Sequence, residues 1–315
     1  MIYHEIYQMD AKLSGRRGGE NAPAADGDEG VGRSACAAEG RASVNRLSDH
    51  EADEIARAFV TARRQARPLC DFPGRLPATL EDAYRVQDRA IALDGRRVVG
   101  WKVAMIRPDL RAGLGADRLC GPIFEGTVHD CRAGGRADVA VHADGFAALE
   151  AEFVAGFGRD LPLRPDGATA TDILPALAFL AAGAEVASSP LPTLNAIGPL
   201  AVVCDQGNNA GAVIGPVLPA CAGQPDAALT SEMLIDGVSV GRGSAASVPG
   251  GPIAALVFLT RALAARGRHL VAGDVVLTGM TTGIHAVTPG SRGRIAFLGG
   301  LGCDIAVTAI APRLS

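Results

Sequence analysis

The texture of the chain changes near Gly100, and that change limits the architectures open to it. Before it, apolar residues recur at helical spacing. Ser48-Asp49-His50-Glu51 has the pattern of a capping box, in which Ser48 and Glu51 satisfy two orphan amides of a helix start. Ala52, Ile55, Ala56, Phe59 and Val60 follow on one face. Thr79-Leu80-Glu81-Asp82 opens a second helix, with Leu80, Ala83, Tyr84, Gln87 and Ile91 on one side and Asp94-Gly95 at its end. After Gly100 the apolar residues gather in short β-type segments cut by Gly and Pro, at 101–106, 147–157, 200–204 and 233–240. Asp236-Gly237 inside the last is a hairpin signal. A third helix is expected over 252–266, from the first-turn Pro252 to a stop at Gly267. Strands are expected again over 274–278, 293–297 and 304–310. Helices first and strands after is the order of an α+β fold, not the regular alternation of a doubly wound sheet.

Composition removes several classes of function. The 315 residues carry a formal net charge of -4 and only 4% aromatics, so a basic, stacking nucleic-acid surface is not expected. The longest apolar run, 253–259, is far below the ~18–20 residues of a membrane span. Forty glycines suit many tight turns between short strands. The seven cysteines are scattered without a CxxC, which speaks for reduced thiols and a cytoplasmic location. The first residues lack the charged-then-apolar layout of a secretion signal. Residues 1–45 read as a disordered arm, because 14–42 is Gly, Ala and mixed charge with no apolar face. Removing the arm is expected to leave the melting temperature nearly unchanged.

No Walker loop, GxGxxG or HExxH is present, so chemistry must come from less formal arrangements. Glu150 and Glu152 are two apart in a strand-like segment and would share a face. Two such carboxylates repel unless water or a cation separates them. Either the face is solvated, or a hard cation such as Mg²⁺ or Mn²⁺ sits there. Lys102 is flanked by apolar residues. It either snorkels to water or is a partly buried ammonium that pairs with a substrate carboxylate or moves a proton. Of 30 basic residues 28 are Arg, so a lysine at this position is the more informative. Asp205-Gln206-Gly207-Asn208-Asn209 is turn chemistry after an apolar segment. Residues 277–283 run a strand into a small-residue loop that lets a ligand approach backbone amides. His129, His142 and His285 lack partners at ligand spacing and read as structural or exposed.

In these stretches the chain resembles the 2-keto-4-pentenoate hydratases, the hydratase/decarboxylase branch of the fumarylacetoacetate-hydrolase-like superfamily. The likeness runs from about 47 to 308. It includes TLEDAYRVQ at 79–87, GWK at 100–102, LEAEFVAGFGRDLP at 149–162, GRGS at 241–244 and AGDVVLTG at 272–279. The resemblance implies an α+β fold, a mixed β-roll or barrel with flanking helices. Residues 46–315 would form a single domain, with a small helical part over 46–98 and a β-rich catalytic core over 99–315.

The resemblance also implies a divalent metal, Mg²⁺ or Mn²⁺, held by Glu150, Glu152 and a third acidic residue. One register puts Ala178 at the third position and loses the ligand. The preferred register puts Glu185 there, 33 residues after Glu152 and 20 before Asp205. Lys102 and Glu125 are implied as catalytic, and Asp205, Asn208, Thr278 and Gly279 as substrate-binding. The family's Asp-Asn-Ala-Ser reads Asp205-Gln206-Gly207-Asn208 here, which replaces a hydroxyl by an amide and points to a changed substrate. The implied reaction adds water to a 2-hydroxy-alka-2,4-dienoate, giving a 4-hydroxy-2-oxo acid, in aromatic-compound catabolism. The alternatives are a 4-oxalocrotonate-type decarboxylase or acylpyruvate-type hydrolase on the same metal site, and a non-catalytic 2-oxo-acid binder. The implied partners are the small-molecule substrate, further copies of the chain in a homo-oligomer, and an enzyme of the same pathway.

Overall fold

Two capped helices lead the chain in the computed structural model, which describes residues 46–219 and 225–313. The arm expected over 1–45 lies outside the described residues, as do Cys36 and Cys221. Helix α1 (Asp49–Gln65) starts at Ser48 with both halves of the expected capping box. Helix α2 (Leu80–Asp94) starts at Thr79, whose hydroxyl accepts from the Asp82 amide, and stops at a left-handed Gly95. Ala52, Ile55 and Phe59 of the first meet Ala83, Val86 and Ala90 of the second in one apolar cluster.

The rest of the described chain follows as β1 (Val98–Met105), α3 (Pro108–Leu114), β2 (Arg118–Phe124), β3 (Val128–Asp130), β4 (Arg136–Val141), β5 (Phe146–Phe157), α4 (Ala170–Ile173), β6 (Leu177–Ser189), α5 (Leu194–Ile197), α6 (Pro199–Cys204), β7 (Asn209–Val217), β8 (Thr230–Ile235), β9 (Val238–Ser244), α7 (Gly251–Ala264), β10 (Val275–Met280), β11 (His285–Ala286), β12 (Arg292–Phe297) and β13 (Leu301–Ala309). One sheet has the order β2-β1-β10-β5-β6-β7-β3, with β11 also paired to β5; the other has the order β4-β13-β12-β8-β9. The hairpin expected at Asp236-Gly237 joins β8 to β9, with both residues at positive φ.

Period-two alternation gives the first sheet two different faces. Leu149, Ala151 and Phe153 of β5 point to the second sheet and pack with Val139, Met233, Ile295 and Ile305. Phe153 meets Phe297 edge to face at 5.1 Å. Val154 of β5 points the other way, into a cluster with Ile123 of β2, Ala181 of β6, Ile214 of β7 and Leu277 of β10. In a flat sheet β2 and β7 would be five strand spacings apart, roughly 24 Å. They share this cluster because the sheet rolls around it. Helix α7 covers the outside of the roll, setting Ala255, Leu256, Leu259 and Leu263 against Trp101, Ala155 and Val276.

The architecture is the α+β roll that the resemblance implied. One local expectation is corrected: 200–204 is the helix α6, not a strand. Gly198 turns the chain at φ 117° and Pro199 occupies the first helical turn, which starts a helix whatever the β propensity that follows. Ala201, Val203 and Cys204 then pack on the cluster formed by α1 and α2. The 13-residue β6 was not anticipated from the sequence, because Leu177–Ser189 is dominated by small residues with little β signal. Among the described residues, no helix is long and apolar enough to cross a membrane.

Candidate metal centre

Strands β5 and β6 pair antiparallel with Glu150 directly opposite Glu185. Glu152 lies two residues along β5 on the same face, the face that lines the roll. The three carboxylates offer ligand oxygens within 4.8 Å of one another. They are buried, Glu150 at 6%, Glu152 at 1% and Glu185 at 0% exposure. Lys102 of β1 reaches the same space, its Nζ 3.0 Å from Glu185 Oε2. The structure therefore brings Lys102, Glu150, Glu152 and Glu185 together. Neither a solvated glutamate face nor a snorkelling lysine describes them.

Few donors serve these carboxylates. Asn209 Nδ2 donates to Glu185 Oε1 at 3.0 Å, and the Gly279 amide donates to Glu152 Oε2 at 2.8 Å. Glu185 Oε2 has the Lys102 ion pair but no aligned hydrogen bond. Burial, reinforced by Glu185, pushes the Glu150 carboxyl up to about 8, with Lys102 only partly offsetting the rise. Burial and then the two neighbouring glutamates lift Glu152 well above the usual carboxylate range. Burial alone would lower the Lys102 ammonium, but Glu185, Glu150 and Glu152 outweigh it and hold it above its ordinary value. Three buried carboxyl groups against one ammonium leave oxygen lone pairs in excess. That donor set fits a hard divalent cation, which takes oxygen ligands.

The other expected site residues divide. Gly279 contributes through its amide, at φ 114°, by fixing Glu152. Thr278 is buried and its hydroxyl donates to the Phe153 carbonyl. Asp205 is fully buried and accepts twice from Arg63 of α1, at 2.5 and 2.9 Å, so its oxygens are committed within the protein. Asn208 is buried, with its Nδ2 3.4 Å from Asn195 Oδ1 and its own Oδ1 unpartnered. Glu125 is corrected: it is exposed, in an ion pair with Arg97 at 2.8 Å, beyond the end of β2. Lys102 lies opposite Gly121, so four residues of strand, about 13 Å, separate their levels. Among the histidines, His142 is buried and His285 bonds the Thr282 carbonyl, which agrees with their structural reading.

Asn209, which donates to Glu185, does not stand out in the sequence as a site residue, although it closes the turn noted there. Gln206, Gly207 and Asn208 all take left-handed backbone, at φ 57°, 72° and 64°. This conformation presses Gly207 on Gly121, where a Cβ on Gly121 would lie 2.3 Å from the Gln206 carbonyl oxygen. The turn therefore seals the roll beside Lys102 and delivers Asn209 to Glu185.

No family model matches the chain. It is 30% identical over 262 residues to 2-keto-4-pentenoate hydratase 1 of Dechloromonas aromatica (strain RCB), spanning 79% of this chain and 93% of that protein. The chain belongs to the 2-keto-4-pentenoate hydratase family. The chain is also 28% identical over 255 residues to the 4-oxalocrotonate decarboxylase of Pseudomonas sp. (strain CF600), spanning 79% of this chain and 92% of that one. The fold is shared with the 4-oxalocrotonate decarboxylase from Pseudomonas putida G7 complexed with magnesium and adipate. That match has a TM-score of 0.68 at 23% identity, over 84% of this chain and all of the other.

Proposed function

We propose that this member of the family is a divalent-metal-dependent hydro-lyase that adds water to a 2-hydroxy-alka-2,4-dienoate, giving a 4-hydroxy-2-oxo acid, in the breakdown of aromatic compounds. The observation that carries the reading is the buried trio Glu150, Glu152 and Glu185 with Lys102 3.0 Å from Glu185. The relatives support it, most being named as hydratases of this type, among them the 2-hydroxyhexa-2,4-dienoate hydratase of Comamonas testosteroni.

Glu150, Glu152 and Glu185 would hold Mg²⁺ or Mn²⁺, and the decarboxylase that shares this fold is described with magnesium. When bound, such a cation supplies Lewis acidity toward the oxygens of a 2-oxo acid. Asn209 and the Gly279 amide hold Glu185 and Glu152 in fixed orientation, as second-layer partners of metal ligands do. Lys102 pairs with the substrate carboxylate or carries a proton at Nζ. The packed roll keeps bulk water from the reacting atoms, and the free Oδ1 of Asn208 offers an acceptor to the substrate. Glu125 has no part in this scheme.

A second reading, decarboxylation of a 2-oxo-dienedioate, is favoured by the similar identity to the CF600 decarboxylase. The deciding experiment assays a panel of 2-hydroxydienoates and 2-oxo-dienedioates with Mg²⁺ or Mn²⁺ and identifies the products. A 4-hydroxy-2-oxo acid is the expected product. Release of CO₂ from a dienedioate, without hydration of the monoacids, would establish the second reading, and turnover of neither class would remove both.

A further inference from the structure

Away from the carboxylate cluster, a pocket opens where the helical N-terminal part meets the two sheets, its wall including Arg63, Arg96, Arg313, Gln206, Thr127 and His142. Two of the guanidinium groups are already neutralised. Arg63 is bidentate with Asp205, and Arg96 is bidentate with Asp94 at 2.6 and 2.9 Å. Arg96 is further held by the Phe124 ring, 4.6 Å below its guanidinium carbon. Arg313 has no carboxylate partner among the described residues, although its backbone amide is tied to the Arg64 carbonyl at 2.7 Å. Arg64 itself donates to the carbonyls of Leu93 and Asp94 and, among the described residues, pairs with no carboxylate. The three guanidinium groups of the pocket wall therefore share two carboxylates, and Arg313 carries the uncompensated charge.

The second observation is Gln206. It is 1% exposed, it lines the pocket, and its Nε2 has no hydrogen-bond partner. A buried amide donor without a partner is unfavourable, so a ligand that accepts from it is favoured. Thr127 spends its hydroxyl on the Phe124 carbonyl. The pocket thus offers an unpaired cation and a vacant donor.

We propose that this pocket binds a small oxyanion, gripped by Arg313 and Gln206 against the braced guanidinium groups of Arg63 and Arg96. The chemistry suits inorganic phosphate or a short dicarboxylate, whose oxygens accept several N–H donors at once. The electrostatics agree. Burial, and then the charges of Arg96, Arg64 and Arg63, pull the Arg313 guanidinium below its usual pKa, with Asp94 drawing the other way. Burial, with Arg63 and Arg313, drives His142 down to about 3, so it stays neutral and adds no charge. The pocket is distinct from the metal cluster but joined to it, because Arg63 donates to the carbonyl of Asn209, whose side chain holds Glu185.

The test is isothermal titration of the full chain with sodium phosphate and, separately, sodium succinate, against sodium chloride at matched ionic strength. Saturable millimolar binding of phosphate, succinate or both is expected, and which one binds more tightly identifies the source of the oxyanion. Saturation separates a site from the general stabilising effect of phosphate on folded proteins. Arg313→Ala and Gln206→Met should each weaken binding at least about tenfold, the loss of a charge-assisted or buried hydrogen bond. Unchanged melting of Arg313→Ala in chloride checks folding, and Arg313→Gln serves if the alanine variant melts early. No saturable binding by either anion, or full binding by the folded Arg313 variant, overturns the proposal. The readout is binding, so its failure is independent of whether the protein is a hydratase.

Discussion

Lys102 has little room to reach water. Its side chain is 5% exposed, its Nζ faces Glu185, and a Cβ on Gly207 would sit 3.5 Å from its Cδ. In a chain that uses arginine almost everywhere else, the compact ammonium has a physical reason. Guanidinium is larger, planar and effectively never gives up its proton, whereas an ammonium among carboxylates can hold or pass one. Lys102→Arg is expected to lose at least about tenfold in turnover, a floor under the ~10²–10⁴-fold worth of a placed proton donor or acceptor. Far-ultraviolet dichroism and Mg²⁺ affinity should stay near wild type. Wild-type turnover in that folded, metal-loaded variant would return Lys102 to a packing role. Glu125→Gln, by contrast, breaks only a surface pair with Arg97 and belongs with the neutral substitutions.

The element that organises the centre is not a regular one. The left-handed turn over Gln206, Gly207 and Asn208 sits across the open side of the roll, and it approaches β2 through Gly121. A methyl group on Gly121 would meet backbone atoms of Gln206 and Gly207 at 2.3 and 2.7 Å, and backbone cannot swing aside as a side chain can. Gly121→Ala should therefore cost about 1–3 kcal/mol, as overpacking typically does. A fall of several degrees in melting temperature is expected, at about 2–4 °C per kcal/mol for a domain of this size class. It should also weaken Mg²⁺ binding, because the displaced turn carries Asn209. Gly113→Ala provides the control: nothing lies within 4 Å of its added carbon on α3, and it should be neutral or slightly stabilising. Equal melting of the two variants would disprove the clash.

For the whole molecule, acid should weaken the junction between the helical part and the sheets. His142 follows β4, is 4% exposed, and its backbone amide donates to Ser188 Oγ of β6. In the folded protein burial, with Arg63 and Arg313, lowers it from the ordinary 6.5 to about 3. Between those values the unfolded chain binds a proton that the folded chain refuses. Its stability is therefore fully present above about pH 6.5 and is lost as pH falls toward 3, with a slope of up to about 1.4 kcal/mol per pH unit from this one group. Denaturant melts between pH 7 and 5 should register the decline, and His142→Gln should flatten it. An unchanged slope in that variant would assign the acid sensitivity elsewhere.

The sequence alone determined what depends on near neighbours. The Ser48 and Thr79 helix starts, the Gly95 stop and the Asp236-Gly237 hairpin are set by contacts within a few residues, and the structure has them where they were read. The shared face of Glu150 and Glu152 follows from strand periodicity in the same way. The resemblance supplied Glu185 as a candidate ligand, which no local spacing could. Only the tertiary structure decided that Glu185 faces Glu150, since that depends on the register of β6, whose small residues carry almost no strand signal. The same holds for 200–204, where an apolar run looked extended until Gly198 and Pro199 turned it into a helix packed on α1 and α2. Burial was decided last and globally. Two glutamates and a lysine that could each have been solvated are enclosed because distant strands roll around one apolar cluster, and sequence spacing does not encode that closure.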